Sequence, residues 1–305
     1  MKQKTSTESH IIIKTIFFVL NALSSFFQSF IRKPLYSFFT EFLELRKFQK
    51  LNPEYRDIVF YAESGSYWVY FEPFINLLIK EHNRKICYVT SSPDDPILQK
   101  KKDRLLSFYI GEKTVRTIFF ASLDVNILIM TFLDIHQSYI KRSKYPVHYV
   151  FVPHNMNSTH MVFRKGAHDH FDTIFCVGPH NFVELREAEE IYGLKTRALV
   201  ENGYVRLDNI YHEAKDKKPL KYSSSLNILI APSWGPQSLL GIWGEDLIET
   251  LLNAKHNVTV RPHRDDRKHL SVKLDELQGR FSQNPKFRGR KEKISTTHYT
   301  NLTSL

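Results

Sequence analysis

Only two cysteines, Cys87 and Cys176, occur in 305 residues, and both lie inside apolar runs (KICYVT and IFCVG). Two buried thiols fit that placement better than a disulfide or a metal ligand, and a reducing, cytoplasmic setting follows. Zinc spacing is also missing. His160, His168 and His170 match no arrangement that holds the metal, and a solvated loop accounts for them better. The loop after the first strand-like run, Glu63-Ser64-Gly65-Ser66, lacks G-x-G-x-x-G, which is poor evidence for a dinucleotide cofactor. Nothing in the chain requires a metal or a cofactor. No nucleic-acid recognition motif appears and the basic residues are scattered, so nucleic acid ranks low among partners.

What the chain has is positive charge and apolar mass. Lys and Arg number 43 against 32 Asp and Glu, a formal charge of +11, which points to an anionic partner. Hydrophobic residues make up 42% of the chain, enough for one large domain or two medium ones. Residues 11–31 place Lys14, Asn21, Ser25, Gln28 and, just beyond, Arg32 on one helical side, with Phe17, Leu20, Leu23, Phe27 and Phe30 on the other. That is the pattern of an amphipathic helix lying in a membrane surface. The stretch is too polar to span a bilayer, and no small-residue cleavage site follows it. The next segment, RKPLYSFFTEFLELRKFQK, reads as a second amphipathic helix with basic ends. Residues 1–52 are therefore expected to lie against an anionic membrane surface, the plainer alternative being that both helices pack on the protein's own core.

From residue 57 short β-branched and aromatic runs (DIVFYAE, KICYVTS, VRTIFFA, VNILIMT, HYVFVPH, DTIFCVG, TRALVENG) alternate with helix-like stretches such as YFEPFINLLIKEH and HNFVELREAEEIYG. Apolar strands alternating with helices predict a parallel sheet covered on both faces. A polar, basic stretch over 212–225 reads as a linker, after which LNILIAP, the turn SWGPQS, the helix LLGIWGEDLIETLLNAKH and NVTVRPH begin the pattern again. The expected fold class is α/β, with two Rossmann-like doubly wound domains at 53–222 and 223–305.

In such sheets ligands sit beyond the carboxyl ends of the strands. Candidates there are Pro153-His154-Asn155, the segment Gly203 to Asp208 with Arg206, Ser233-Trp234-Gly235-Pro236, and Arg261-Pro262-His263. His154 and His263 occupy equivalent strand-end corners, and a histidine near neutral pKa serves as acid or base. Arg206 and Arg261 suit bidentate phosphate binding or surface ion pairs. Gly235 and Pro236 are expected to open a helix whose exposed amides face an anion, or to form an ordinary strand-to-helix turn.

The order of Pro153-His154, GYVRLD at 203–208, APSW at 231–234 and RPH at 261–263 resembles the CDP-glycerol glycerophosphotransferase family, the membrane-peripheral enzymes of teichoic-acid and capsule synthesis. The resemblance covers roughly residues 57–265 and implies the glycosyltransferase-B architecture. It implies catalytic roles for His154 and His263. It also implies substrate-binding roles for Arg206, Asp208, Ser233, Trp234 and Arg261, and Gly235 joins them as a candidate through the amides of its turn. Asn155 stands where the family has glycine, and Val205 where it has proline.

The reaction so implied is attack by a hydroxyl of a membrane-linked glycan or polymer acceptor on the β-phosphorus of a CDP-alditol donor, releasing CMP, at the cytoplasmic face of the cell membrane. The family continues beyond RPH to a Thr-Asp-Tyr-Ser-Ser-like donor segment. Here KLDELQGRFSQNPKFRGRKEKIS leads to TTHYTNLTSL instead, so the second domain is expected to be incomplete. The alternatives are a sugar-nucleotide glycosyltransferase or epimerase of the same architecture, and a non-catalytic remnant held at the membrane.

Overall fold

The computed structural model describes residues 33–133, 135–136, 140–215, 224–235, 237–263 and 265–289. The expected helix at 11–31, most of the linker with the 222/223 boundary, and the closing TTHYTNLTSL segment lie outside them. The chain divides into two compact units that part between Asn209 and Ile210.

Seven parallel strands build the first unit. They are β1 (Ile58–Ala62), β2 (Ile86–Thr90), β3 (Leu105–Tyr109), β4 (Ile127–Met130), β5 (His148–Phe151), β6 (Thr173–Cys176) and β7 (Ala198–Glu201), in the order β3-β2-β1-β4-β5-β6-β7. Ile58 pairs with Ile86 on one side and Ile127 on the other, so β1 is central and the strand order reverses beside it. Every residue of β1 and β2 is buried, as continuous apolar runs require. Val59, Tyr61, Cys87 and Val89 face one core; Ile58, Phe60, Ala62, Ile86 and Tyr88 face the other.

The first core is closed by α1 (Lys33–Gln49) and α3 (Thr114–Ser122), the second by α2 (Trp68–Lys80). Leu45 and Phe48 of α1 are buried in the unit's own core, each contributing roughly 1.5–3 kcal/mol, whereas Tyr36, Phe39 and Leu43 are exposed. One short-range expectation fails here. VRTIFFA, expected as a strand, is α3: Val115, Arg116, Phe119 and Phe120 are its buried residues, and that spacing of adjacent pairs four apart is helical rather than alternating. The strand in that part of the chain is LLSFY, β3, at the sheet edge. Three further α-helices occur in the unit's described residues: α4 (Thr159–Val162), α5 (Pro179–Tyr192), opened by Pro179 and closed by Gly193 at φ 61°, and α6 (Val205–Ala214), which runs across the division.

Both cysteines are free and buried. His168, expected in a solvated loop, is instead buried against the rings of Phe151 and Phe163. No group of three or more metal-ligating side chains occurs among the described residues.

One glycine locks α1 to the sheet. Gly111 has φ +66°, and a Cβ there would collide with the carboxylate of Glu41, a buried residue of α1 that accepts a 2.6 Å hydrogen bond from Ser37. Gly111→Ala is expected to lower unfolding free energy by about 2–4 kcal/mol, from left-handed strain plus displacement of a buried carboxylate. Denaturant unfolding measures it, and a loss below about 0.5 kcal/mol would show that Glu41 swings aside freely.

The second unit is a three-stranded parallel sheet in the order β10-β9-β8: β8 (Asn227–Ile230), β9 (Asn257–Val260) and β10 (Phe287–Gly289), the last not anticipated from sequence. Ile230, Val258, Val260 and Phe287 pack against Leu240 of α7 (Leu239–Ile242), Ile248 and Leu252 of α8 (Gly244–Asn253), and Leu277 and Phe281 of α10 (Ser271–Phe281). The helix expected over 239–256 is thus two, interrupted at Trp243. Short α9 (Asp266–His269) follows β9. Among the described residues no helix is long and apolar enough to cross a membrane.

Candidate functional site

In the first unit the strand order reverses at β1/β4, the position where doubly wound sheets take ligands beyond the carboxyl ends of their strands, and the segments after β1, β5 and β7 meet at that end. The strand β5 ends at Phe151, and buried Val152 and Pro153 carry the chain to a half-buried His154. Its ring lies edge-on to Tyr67 (centroids 5.2 Å apart) and to Tyr70 (6.3 Å). Tyr67 ends the turn that follows β1, and Tyr70 lies in the first turn of α2. After β7, Tyr204 donates its hydroxyl to the carbonyl oxygen of His154 at 3.0 Å and lies 3.3 Å from the Tyr70 hydroxyl. Arg206 Nη1 donates to the Tyr70 hydroxyl at 3.4 Å.

Burial lowers the pKa of His154 from its ordinary 6.5. The cause is visible in the ring: Nδ1 is buried and has no hydrogen-bond partner among the described residues. A second N–H there would be charged and desolvated. Nε2 is thereby left as the nitrogen that can reach a substrate, on a ring that stays neutral at neutral pH.

Glu63 follows β1 directly. Burial raises its pKa, against the pull of the Arg116 guanidinium 3.9 Å away and with a further push from Glu112. Asp208, carried on the first turn of α6, is exposed.

The remaining sequence-predicted residues belong to the second unit. The Arg261 N–H donates to the Ile230 carbonyl at 2.8 Å, extending the β9–β8 ladder by one residue. Ser233 is exposed, and Trp234, 52% exposed, stacks near-parallel with His263 (6.4 Å, 27°) and with His269 (5.8 Å, 23°). His263 Nδ1 accepts the backbone N–H of Asp265 at 3.2 Å. The Gly235 amide, expected to be open to an anion, is buried and donates to Asp266 Oδ1 at 3.0 Å. That bond ties the loop after β8 to the first residue of α9, and the helix after the loop starts only at Leu239.

Predicted and observed sites thus divide by unit. His154 and Arg206 are brought into one cluster; Trp234 and His263 into another. Tyr67 and Tyr70 were not singled out from sequence, because each reads as part of an ordinary turn or amphipathic helix start. Tyr204 was visible within GYVRLD, but not its bond to His154.

A doubly wound parallel sheet followed by a second, smaller parallel α/β unit defines the class: an α/β protein with two Rossmann-like units in tandem. A UDP-GlcNAc 2-epimerase from Methanocaldococcus jannaschii is similar at a TM-score of 0.50 and 11% identity, over 81% of this chain and 75% of the epimerase. The wall teichoic acid polymerase TagF, in a structure soaked with CDPG, aligns at a TM-score of 0.43 and 14% identity, over 96% of this chain and 71% of TagF. At such identity, what the epimerase shares with the chain is its fold. No protein-family model matches the sequence, and no curated protein matches it.

Proposed function

We propose that the protein is a transferase that moves an alditol-phosphate unit, glycerol phosphate above all, from a CDP-activated donor to a membrane-linked acceptor in cell-surface polymer synthesis. The observation that carries the proposal is His154, a neutral histidine at the carboxyl end of a Rossmann-like sheet with an arginine three hydrogen bonds away. The ordered motifs from Pro153-His154 to RPH support the donor class.

The chemistry balances with the residues present. An acceptor hydroxyl attacks the β-phosphorus of the donor, its oxygen forming the new P–O bond while the P–O bond to CMP breaks. The hydroxyl proton passes to His154 Nε2, and CMP leaves with the bonding pair. Arg206 supplies positive charge for the transferring phosphoryl oxygens. The two histidines differ in kind. His263 Nδ1 already accepts a backbone N–H, so neutral His263 carries its proton on Nε2 and presents a donor. The base is His154. Ser233, Trp234, Arg261 and His263 are assigned to the donor on the strength of the motif order. Asp208 is assigned to substrate on the same ground, and Gly235 serves by holding its loop to Asp266. The helical pattern at 11–31 supports a peripheral place at the cytoplasmic face of the membrane.

The test is turnover of CDP-glycerol by the full chain in detergent, with calorimetric titration against CDP-glycerol, CMP and UDP-N-acetylglucosamine. Cytidine binding and CMP release are expected, with activity falling only below pH 6.5 because the His154 pKa is lowered from that value. Binding of the uridine ligand alone would replace the proposal with a sugar-nucleotide enzyme of the same fold, and binding of none by folded protein would leave a non-catalytic chain.

A further inference from the structure

Two tyrosines stand between Arg206 and His154, Tyr70 outside every motif and Tyr204 within GYVRLD, and counting their protons fixes which way the hydrogen bonds run. A phenol has one proton to donate. Tyr204 gives its proton to the His154 carbonyl (3.0 Å), so at its 3.3 Å contact with Tyr70 it accepts, and Tyr70 is the donor. Tyr70, its proton committed, accepts from Arg206 Nη1 at 3.4 Å. The chain therefore runs in one direction, from the guanidinium through Tyr70 and Tyr204 to the His154 carbonyl. A cation at its head polarises each hydroxyl toward the next acceptor. The same Tyr70 ring, with Tyr67, walls the His154 imidazole. Three segments distant in sequence, after β1, β5 and β7, are joined at this point and by these groups.

We infer that Tyr70 and Tyr204 are positioning residues, a hydroxyl relay that holds the His154 imidazole in its walled setting and in register with Arg206. Its catalytic meaning rests on the transfer reading above; its geometry does not. The relay acts on the backbone of His154, and the groups facing the imidazole are the Tyr67 and Tyr70 rings, with Tyr204 and Arg206 behind them. Loss of the terminal bond frees the Pro153–Asn155 corner, lets water reach Nδ1, and raises the pH at which the ring takes a proton.

The experiment is NMR titration of histidine-labelled full chain, with His154 assigned by difference from His154→Gln, in wild type, Tyr204→Phe and Tyr70→Phe. Tyr204→Phe is expected to move the His154 midpoint upward by about half a pH unit or more. It is also expected to lower kcat about tenfold at unchanged KM, the scale of one hydrogen bond. Tyr70→Phe shifts the midpoint in the same direction by less, because Tyr204 still reaches the carbonyl. That ordering separates a relay from general loosening, and circular dichroism checks that both variants fold; if Tyr204→Phe does not, Tyr70→Phe alone decides. A His154 midpoint that stays at the wild-type value in the folded variants overturns the inference. Since the titration needs no substrate, absence of CDP-glycerol turnover would sink the transfer reading and leave the relay to be decided by the midpoints.

Discussion

His154→Ala is expected to lower turnover of the CDP-activated donor by about 10²–10⁴-fold while leaving donor affinity within a factor of a few, the span of a lost general base. The reasoning runs through the ring's surroundings. Its Nδ1 is buried without a partner among the described residues, and its pKa is lowered by burial, so the unprotonated form prevails at neutral pH. Removing the ring removes the proton acceptor, whereas Arg206 and the tyrosine hydroxyls stay. A loss in kcat with little change in KM is therefore the expected split. His263→Ala, in the other unit, is expected to act on the donor side. Its ring presents an N–H, and its loss should raise KM for the donor more than it lowers kcat. Steady-state kinetics across pH 5–9 measures both, and wild-type turnover in His154→Ala would remove the histidine from the mechanism.

Arg197→Ala is expected to cost the first unit about 3–5 kcal/mol, because it leaves a buried carboxylate without its main partner. Arg197 and Glu189 are only 5% and 6% exposed. The guanidinium Nε and the Arg197 backbone N–H both donate to Glu189 Oε1, at 2.8 and 3.0 Å, and Nη1 and Nη2 donate to the carbonyls of His168 and Leu185. One side chain thus fixes α5, the loop before β6 and the entry to β7. Burial pushes the Glu189 pKa up, but the hydrogen bonds from Arg197 and Arg186 outweigh it, and the net shift is downward. A carboxylate whose folded pKa is depressed adds stability that is present above its unfolded value and is lost as pH falls through the folded one. Wild type should therefore hold this contribution down to below pH 4.5, the ordinary Glu value, while Arg197→Ala has lost it already at neutral pH. Urea unfolding at pH 7 and at pH 4 is the measurement. A cost under 1 kcal/mol at pH 7 would mean that Arg186, which also donates to Glu189 at 2.5 Å, carries the pair by itself.

Much of the architecture was legible residue by residue. Runs such as DIVFYAE and KICYVTS are apolar throughout because both faces of β1 and β2 are covered, and that pattern alone predicts a parallel, doubly covered sheet. His154 was legible as a candidate because a Pro-His corner after an apolar run lies at a strand's carboxyl end. VRTIFFA was not legible: β-branched and aromatic composition argues for a strand, and only packing between α1 and the sheet makes its buried spacing helical. His168 reads as one of three polar-loop histidines, yet the loop before β6 folds inward and sets it against Phe151 and Phe163.

By itself the sequence determined the alternation of strand and helix, the division into two Rossmann-like stretches, and which residues follow each strand. These are local matters, settled by apolar period and turn chemistry over about ten residues at a time. Which of those residues share a site was decided only by the strand order. Because β1 lies beside β4 and β5 beyond it, the turn after β1 brings Tyr67 and Tyr70 to His154. Tyr204 and Arg206 then arrive from β7. The His154 nitrogen that has no partner among the described residues is likewise a property of the packed site, since its burial arises only when segments more than a hundred residues apart close around one ring.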